Sequence, residues 1–186
     1  DNASSRGLGD VYKRQSTNYY FPLDFTVGGA VASFGRRLEW PDDFFRVMWS
    51  AKFMQKEYEG SQDDIDNYIG GLQKTRGLSL SQVLSRDSRN RAEFPTNGST
   101  FILESTYSGG FLGGNENFQK HMLTLDWFTP TFSKFILYNS VKLGVIKTLD
   151  VGDNVQSFVP FDERFIMGGN GIPYGNALRG YPDNAI

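Results

Sequence analysis

Residue-by-residue alternation of apolar and polar side chains constrains the fold of this chain more than any other feature. In the segment 44–56, Val47, Trp49 and Phe53 occupy odd positions, whereas Arg46 occupies an even one. Successive side chains of a strand point to opposite faces, so this pattern predicts a strand with one apolar and one polar face. No stretch forms a convincing amphipathic helix, and we expect an all-β fold of about six strands. The other five alternating segments are 23–34, 72–84, 100–108, 121–128 and 134–145.

Turn-rich stretches separate the six predicted strands. Pro occurs in 35–43 and 129–133, and the stretches 59–71 and 109–118 are polar or rich in Gly. Consecutive strands joined in this way form an antiparallel meander. The predicted strands exceed the usual length of about five or six residues in soluble sheets and suit the roughly 9 to 11 residues of a tilted membrane strand. Their length therefore favours a transmembrane β-barrel.

Charged residues within the predicted strands lie opposite the Phe, Leu and Trp side chains. Both charge signs occur there together with Ser, Thr and Tyr, which is typical of the hydrated interior of a membrane barrel. Lys74, Arg76 and His121 are exceptions, and we expect them to extend to lipid headgroups from strand ends. Polarity alone leaves two alternatives open, a soluble ligand-binding β-barrel and a sandwich with one solvated face. The charged residues of the polar face are Arg46, Lys52, Lys56, Glu104, Asp126, Lys134 and Lys142.

The opposite, apolar row is expected on the convex, lipid-contacting face of a curved sheet. Aromatic side chains near the strand ends suit the interface between lipid and water. If these side chains instead filled a closed apolar interior, the membrane interpretation would fail. The residues predicted on the convex face are Val47, Trp49, Phe53, Leu103, Leu123, Leu125, Leu137 and Val141.

Composition excludes several classes of protein. The chain has 19 basic and 21 acidic residues without a basic block, which argues against a nucleic-acid partner. It has no Cys, so disulfides and thiolate zinc sites are excluded. The longest unbroken apolar run, 135–138, is far shorter than the roughly 20 residues of a membrane helix.

No group of residues in the sequence forms a recognisable catalytic or metal site, so we expect no enzyme activity and no cofactor. The glycine-rich stretch 168–171 fits neither nucleotide-binding fingerprint, and we interpret it as a turn. Asp63, Asp64 and Asp66 lack the Gly and the terminal Glu of a calcium loop, so a solvated loop is the better interpretation.

His121 is the single His of the chain. An outer-membrane lipase would need this residue beside a Ser and an acidic group on an outward face, and no one motif contains all three. Glu104 and Asp126 could form an acid/base pair, but we interpret them as partners of Lys and Arg in the barrel interior.

The two ends of the chain differ in character from its middle. Residues 1–15 show no alternation and resemble a translated sequencing-adaptor read-through, so we interpret them as a foreign or disordered segment that forms no strand paired with the sheet. They lack the basic start and apolar core of a signal peptide. The other end stops within a stretch rich in Gly, Asn and Pro, and we expect the sequence to be a fragment of a longer protein.

Three stretches resemble the BamA-type outer-membrane protein assembly factors of the bacterial surface antigen family. Residues 85–98 are similar to the family's "RD…FPT.G" turn, although the turn here is longer than the family's usual short periplasmic turns. Residues 165–169 followed by 178–181 are similar to the "F..GG…(V/I)RG(F/Y)" signature of the sixth surface loop, with Leu178 where Val or Ile is commoner. Residues 34–45 are similar to a periplasmic hairpin of some members.

This resemblance implies a 16-stranded transmembrane barrel in the bacterial outer membrane. The six predicted strands would be the sixth to eleventh strands of that barrel. Residues 16–147 would then form part of the barrel, and residues 148–186 would begin a long surface loop that contains the LRGY motif. The turns at 35–43, 86–98 and 129–133 would face the periplasm.

The resemblance also implies a function that needs neither nucleotide nor catalytic residue. The parent protein would insert and fold outer-membrane proteins by offering an unpaired strand edge to an incoming strand. Its implied partners are outer-membrane lipid, unfolded outer-membrane protein clients and accessory lipoproteins. A two-partner secretion transporter of the same superfamily is the main alternative, and about two rather than five upstream POTRA domains would identify it.

The surface-loop motif contains the predicted functional residues. By resemblance, Arg179 folds back into the barrel interior, where its guanidinium needs carboxylate or carbonyl partners. In this chain we expect Glu104 or Asp126 as its available partners, and a solvated loop arginine is the alternative. The full set of motif residues is Gly168, Gly169, Leu178, Arg179, Gly180 and Tyr181.

Overall fold

A computed structural model of the chain describes residues 10–16, 23–69, 71–150, 159–160, 163–167 and 175–176. Seven strands form one sheet in sequential order, and every neighbouring pair is antiparallel. Strands β2 to β7 are the six predicted strands, so the predicted all-β meander is confirmed. The strands are β1 (Asp10–Ser16), β2 (Asp24–Arg37), β3 (Phe45–Glu59), β4 (Lys74–Asp87), β5 (Gly98–Ser108), β6 (Phe118–Pro130) and β7 (Ile136–Thr148).

The strand register places the predicted apolar residues on one face. Leu84 pairs with Leu103, Leu103 with Leu123, and Leu123 with Leu143, and directly paired residues share a face. We call this side the apolar face and the opposite side, which carries Lys52 and Asp126, the polar face. Large side chains of the apolar face remain exposed in the described part of the chain instead of filling a closed interior. Examples are Trp49 (43%), Phe53 (45%) and Leu137 (52%).

The weakly alternating strand β2 presents its apolar residues to the polar face. Val27 pairs with Lys56, and Phe25 pairs with Tyr58, so their side chains lie on the same side as the lysine. This phase is opposite to that of the other strands. The reason is a small hydrophobic core on the polar face, against which Phe25 packs.

A helix, α1 (Gln62–Ile69), lies between β3 and β4, where the sequence predicted only a polar loop. Ser61 caps it, because its Oγ accepts a hydrogen bond from the N–H of Asp64 at 3.2 Å. Ile65 and Ile69 lie one helical turn apart and are buried, which anchors an otherwise polar helix. The core that they help to form contains Leu23, Tyr58, Ile65 and Ile69.

The prediction that residues 1–15 form no strand is wrong for the part that the structure describes. Strand β1 pairs with β2 from Asp10 opposite Val31 to Ser16 opposite Phe25. Val11 and Tyr12 favour extended backbone, and the edge of β2 offers unpaired N–H and C=O groups to such a segment. The foreign origin of these residues stays a prediction.

The connections define two ends of the sheet. The loop-side end carries residues 60–73, residues 109–117 and the chain after β7. The hairpin end carries the three connections 38–44, 88–97 and 131–135. The segment 148–186, predicted as loop, also contains a short parallel pair, β8 (Ile166–Met167) with β9 (Gly175–Asn176). Among the described residues, no helix has the length and hydropathy to span a bilayer.

Candidate functional site

A buried ion pair lies on the polar face at the loop-side end. The Nζ of Lys56 lies 3.3 Å from the Oε1 of Glu116, and the two side chains are 5% and 8% exposed. The hydroxyl of Thr75 donates to the same carboxylate oxygen at 3.1 Å. Gly77 makes room for this carboxylate, because a Cβ at that position would lie 2.7 Å from the Oε2 of Glu116. The β5–β6 loop, residues 109–117, is thereby fixed to strands β3 and β4.

The same loop continues the hydrogen bonding of β4 beyond the end of β5. The N–H of Asn115 donates to the C=O of Arg76, and the N–H of Gly109 donates to the C=O of Leu78. Gly77 and Gly114 form an isolated antiparallel bridge between these two bonds. The loop therefore acts as a short substitute strand along the part of β4 that β5 does not reach.

Residues 163–165, which follow β7, contact the polar face. The Nζ of Lys120, on β6, donates to the main-chain oxygen of Glu163 at 2.8 Å and to its Oε2 at 3.1 Å. The ring of Phe165 lies 5.2 Å from the same Nζ and packs on Gly144, where an added Cβ would lie 2.6 Å from the ring. Glycine at position 144 is thus the residue that lets Phe165 approach β7. These contacts hold the first part of the predicted surface loop against the polar face.

The predicted loop-motif residues lie outside the described residues, so their roles stay predictions. They are Gly168, Gly169, Leu178, Arg179, Gly180 and Tyr181. The two predicted partners of Arg179 are described. Asp126 accepts hydrogen bonds from the hydroxyls of Thr100 at 3.0 Å and Tyr138 at 2.9 Å, whereas Glu104 is exposed. Hydroxyl groups therefore donate hydrogen bonds to Asp126, while two cations of the predicted types, Lys142 and Arg89, interact with it through their charge.

Arg86 joins two connections at the hairpin end. Its guanidinium binds the Oδ2 of Asp42, with Nε and Nη2 both 2.8 Å from that oxygen, so it ties β4 to the β2–β3 hairpin. It also donates to the Oγ of Ser88 at 3.0 Å and lies 5.6 Å from the ring centre of Phe44. This contact explains the arginine of the "RD…FPT.G" stretch.

The long β4–β5 turn is held by its own side chains. The Oδ1 of Asn90 accepts hydrogen bonds from the N–H groups of Thr96 and Asn97 at 3.0 and 3.2 Å. Gly98 has a φ of 104°, and a Cβ there would lie 2.3 Å from the C=O of Ser88, so only glycine fits. The hydrogen bond from Arg89 to Asp87 raises the pKa of that guanidinium above its ordinary value.

A row of polar side chains crosses the apolar face. Trp49, Gln82, Ser105 and His121 are direct register partners on β3, β4, β5 and β6. The indole N–H of Trp49 donates to the Oε1 of Gln82 at 3.1 Å, and the Nδ1 of His121 lies 3.0 Å from the Oγ of Ser105. Sequence reasoning missed this row because Gln82 and Ser105 each interrupt an otherwise apolar series within one strand.

The contact between Ser105 and His121 is the pairing that a lipase would require. Acyl transfer also needs a group that orients the imidazole and N–H donors that stabilise an oxyanion. Both residues lie within strands that pair on both sides, where backbone N–H groups take part in the ladders. The geometry supports a cross-strand contact better than a nucleophilic site.

The acidic residues of α1 serve the helix itself. Asp63 and Asp64 lie in its first turn, where carboxylates interact favourably with the helix dipole, and the amide of Gln62 donates to Asp66 at 2.9 Å. Within the described ranges, no three potential metal-ligating residues of the His, Cys, Asp and Glu types come together.

Comparison with known proteins gives two matches. A family model described as "Omp85 superfamily domain" matches residues 4–186. Over 145 residues the chain is 25% identical to a protein from Nitratidesulfovibrio vulgaris (strain Hildenborough) that is named "Outer membrane protein assembly factor BamA". That match covers 77% of this chain and 17% of the relative, so the chain spans about a sixth of the relative's length.

Proposed function

The chain belongs to the Omp85 superfamily, and from this membership we propose that its parent protein inserts and folds β-barrel proteins in the bacterial outer membrane. The similarity to a protein named as an outer-membrane protein assembly factor carries the proposal. It favours an assembly factor over a transporter because the named relative has the former role.

In this proposal the sheet is part of the wall of a 16-stranded barrel, with β2 to β7 as its sixth to eleventh strands. The exposed apolar face, with Trp49 and Leu137, contacts lipid. The polar face lines the hydrated interior, which suits its lysines and carboxylates. A soluble ligand-binding barrel would instead enclose Trp49 and Leu137.

The proposed role of the chain after β7 is to bring the surface loop into the barrel. The contacts of Lys120 with Glu163 and of Gly144 with Phe165 support this role, because both partners on the sheet belong to the polar face. Arg179, farther along the same loop, would then bind interior carboxylate or carbonyl groups. Lys would be a poor substitute, since it lacks the planar guanidinium.

The proposed mechanism is templating by a strand edge. An opened barrel seam offers unpaired N–H and C=O groups to an incoming strand, which needs neither nucleotide nor catalytic residue. The secretion transporter of the same superfamily remains the second candidate, because it shares the barrel.

Depletion of the parent protein in its own organism tests the proposal. An assembly factor predicts that many outer-membrane barrels decrease together, whereas a transporter predicts that one secreted polypeptide disappears while the barrels stay at normal levels. Complementation with Arg179→Ala tests the loop, with Arg91→Ala, an exposed hairpin residue, as the matched control. Assembly at the parental rate by the Arg179→Ala protein would contradict the role of the loop.

A further inference from the structure

The apolar face contains a mostly apolar pocket with several polar groups in its lining, which barrel assembly does not explain. Its volume is about 220 Å³, and it lies where the row of Gln82, Ser105 and His121 meets the next row toward the loop-side end. In a face that contacts hydrocarbon, such groups are costly unless a polar partner satisfies them. The side chains of the apolar face that line the pocket are Trp49, Leu80, Gln82, Ser105, Tyr107, Gln119 and His121.

The pocket offers hydrogen-bond donors to a ligand. Gln82 uses its Oε1 for the indole of Trp49, which leaves the two N–H groups of its amide for another acceptor. When Ser105 donates to the Nδ1 of His121, the ring proton lies on Nε2 and can be donated outward. Neutral donors of this kind suit ester carbonyl oxygens.

Three successive rows of the apolar face differ in chemistry along the strand direction. Nearest the loop-side end, Tyr107, Gln119 and Lys147 form one row, and Phe111, 81% exposed, lies 5.3 Å from the ring of Tyr107. The polar row of Gln82, Ser105 and His121 comes next. Beyond it lies an entirely apolar row of Leu84, Leu103, Leu123 and Leu143. Adjacent rows on one face are about 7 Å apart, because each is two residues along the strand from the next.

We propose that this pocket binds one phosphate-bearing lipid at a defined position on the barrel wall. The ammonium of Lys147, beside the pocket as the register partner of Gln119, receives the phosphate, Gln82 and His121 donate to the ester carbonyls, and the acyl chains extend over the leucine row. Along the strand direction, a cation is followed by hydrogen-bond donors and then by apolar surface. The phosphate, ester and acyl groups of such a lipid follow one another in the matching order. Phe111 and Tyr107 lie at the headgroup level, where aromatic residues are favoured. The proposal rests on the proposed function, in which the apolar face contacts lipid.

Native mass spectrometry of the full-length parent protein tests the site. The probes are phosphatidylglycerol and a diacylglycerol with the same acyl chains, which lacks the phosphate. We expect the parental protein to retain phosphatidylglycerol about tenfold better than diacylglycerol, and His121→Leu or Lys147→Ala to lower that retention about tenfold. Asn139→Leu, on the apolar face near the hairpin end, is the matched control and should leave retention unchanged.

Equal retention of the two lipids by the parental protein would overturn the site. Unchanged retention of phosphatidylglycerol in both the His121→Leu and the Lys147→Ala proteins would overturn it as well. If His121→Leu does not assemble, His121→Gln keeps a donor and should retain the lipid, while Lys147→Ala still tests the phosphate contact. A photo-crosslinking residue in place of Leu123 distinguishes failure of the lipid site from failure of the proposed membrane orientation. Labelling of acyl chains without selective retention refutes the pocket alone, whereas absence of labelling refutes the membrane orientation and the site with it.

Discussion

The two ends of the sheet hold their loops by the same kind of contact, in which a strand cation binds a loop carboxylate, but they bury it to different extents. At the loop-side end, Lys56 and Glu116 lie 3.3 Å apart with 5% and 8% of their side chains exposed. At the hairpin end, Arg86 and Asp42 lie closer, at 2.8 Å, but with 28% and 34% exposed. The shorter pair is therefore the more solvated one.

This difference indicates that burial, rather than distance, determines which of the two ion pairs contributes more to stability. Water screens a partly exposed pair, so its net contribution is small. A buried pair is costly to separate, because the loss of one member removes a charge that compensates the other away from water. The loop-side end thus depends on its ion pair, whereas the hairpin end depends mainly on the local hydrogen bonds of its turns.

The largest effect is expected from Glu116→Ala. Removal of the carboxylate from the buried pair should lower the free energy of unfolding of the parent protein by about 3–5 kcal/mol. Urea titration in lipid vesicles measures this change. Glu93→Ala, at an exposed turn position, is the matched control and should change stability by less than about 0.5 kcal/mol. Similar values for the two variants would remove the proposed difference between the ends.

Gly77→Ala should have the next largest effect. The added methyl group would lie 2.7 Å from the Oε2 of Glu116 and would displace the carboxylate from Lys56, at a cost of about 1–3 kcal/mol. Gly28→Ala is the control, because a Cβ at Gly28 meets nothing within 4 Å. If both substitutions leave the urea midpoint unchanged, the loop-side contact does not require its present geometry.

Ser61→Ala tests the helix that covers the polar face at the loop-side end. Loss of the cap on α1 should cost about 1 kcal/mol. Because the effect is local, hydrogen exchange at the amides of Ile65 and Ile69 should accelerate before the sheet opens. Ser133→Ala, at an exposed turn position of the opposite end, serves as comparison, and equal exchange at the α1 amides in both variants would contradict the capping role.

Asp42→Asn should have the smallest effect and the clearest salt dependence. The loss of the half-exposed pair with Arg86 should cost about 0.2–1 kcal/mol at low salt and still less at about 1 M salt, where the Debye length is only about 3 Å. Unfolding measured at both salt concentrations checks this expectation. Glu116→Ala should be nearly insensitive to the same change, and an equal salt response would erase the distinction between the two pairs.

The sequence predicted the parts of the fold that depend on a repeated local signal. Alternation identified β2 to β7 because each strand repeats the signal over at least eight residues. Alternation could not predict α1, whose local signal is only a Ser61–Asp64 cap and two isoleucines. It could not predict β1 either, because residues 10–16 do not alternate. In β2, the alternation was correct but did not indicate which face the apolar residues occupy, because they serve the small core on the polar face.

The candidate site depended on contacts that no local pattern encodes. Lys56, Thr75 and Glu116 come from a strand, its neighbour and a loop, and they meet only after the β5–β6 loop folds back. Gly77 and Gly144 were ordinary strand residues in the sequence, and only the approach of Glu116 and Phe165 explains them. The polar row of the apolar face required the register of four strands before its members could be placed together.

The substitute strand formed by residues 109–117 also resists sliding between β4 and β5. A shift of one residue is already opposed, because it would exchange the two faces of the sheet. A shift of two residues keeps both faces and is not opposed by the alternation. The bridge between Gly77 and Gly114 and the contact of Glu116 with Lys56 exist in one alignment only. This loop therefore fixes the alignment of β4 and β5 against a shift of two residues.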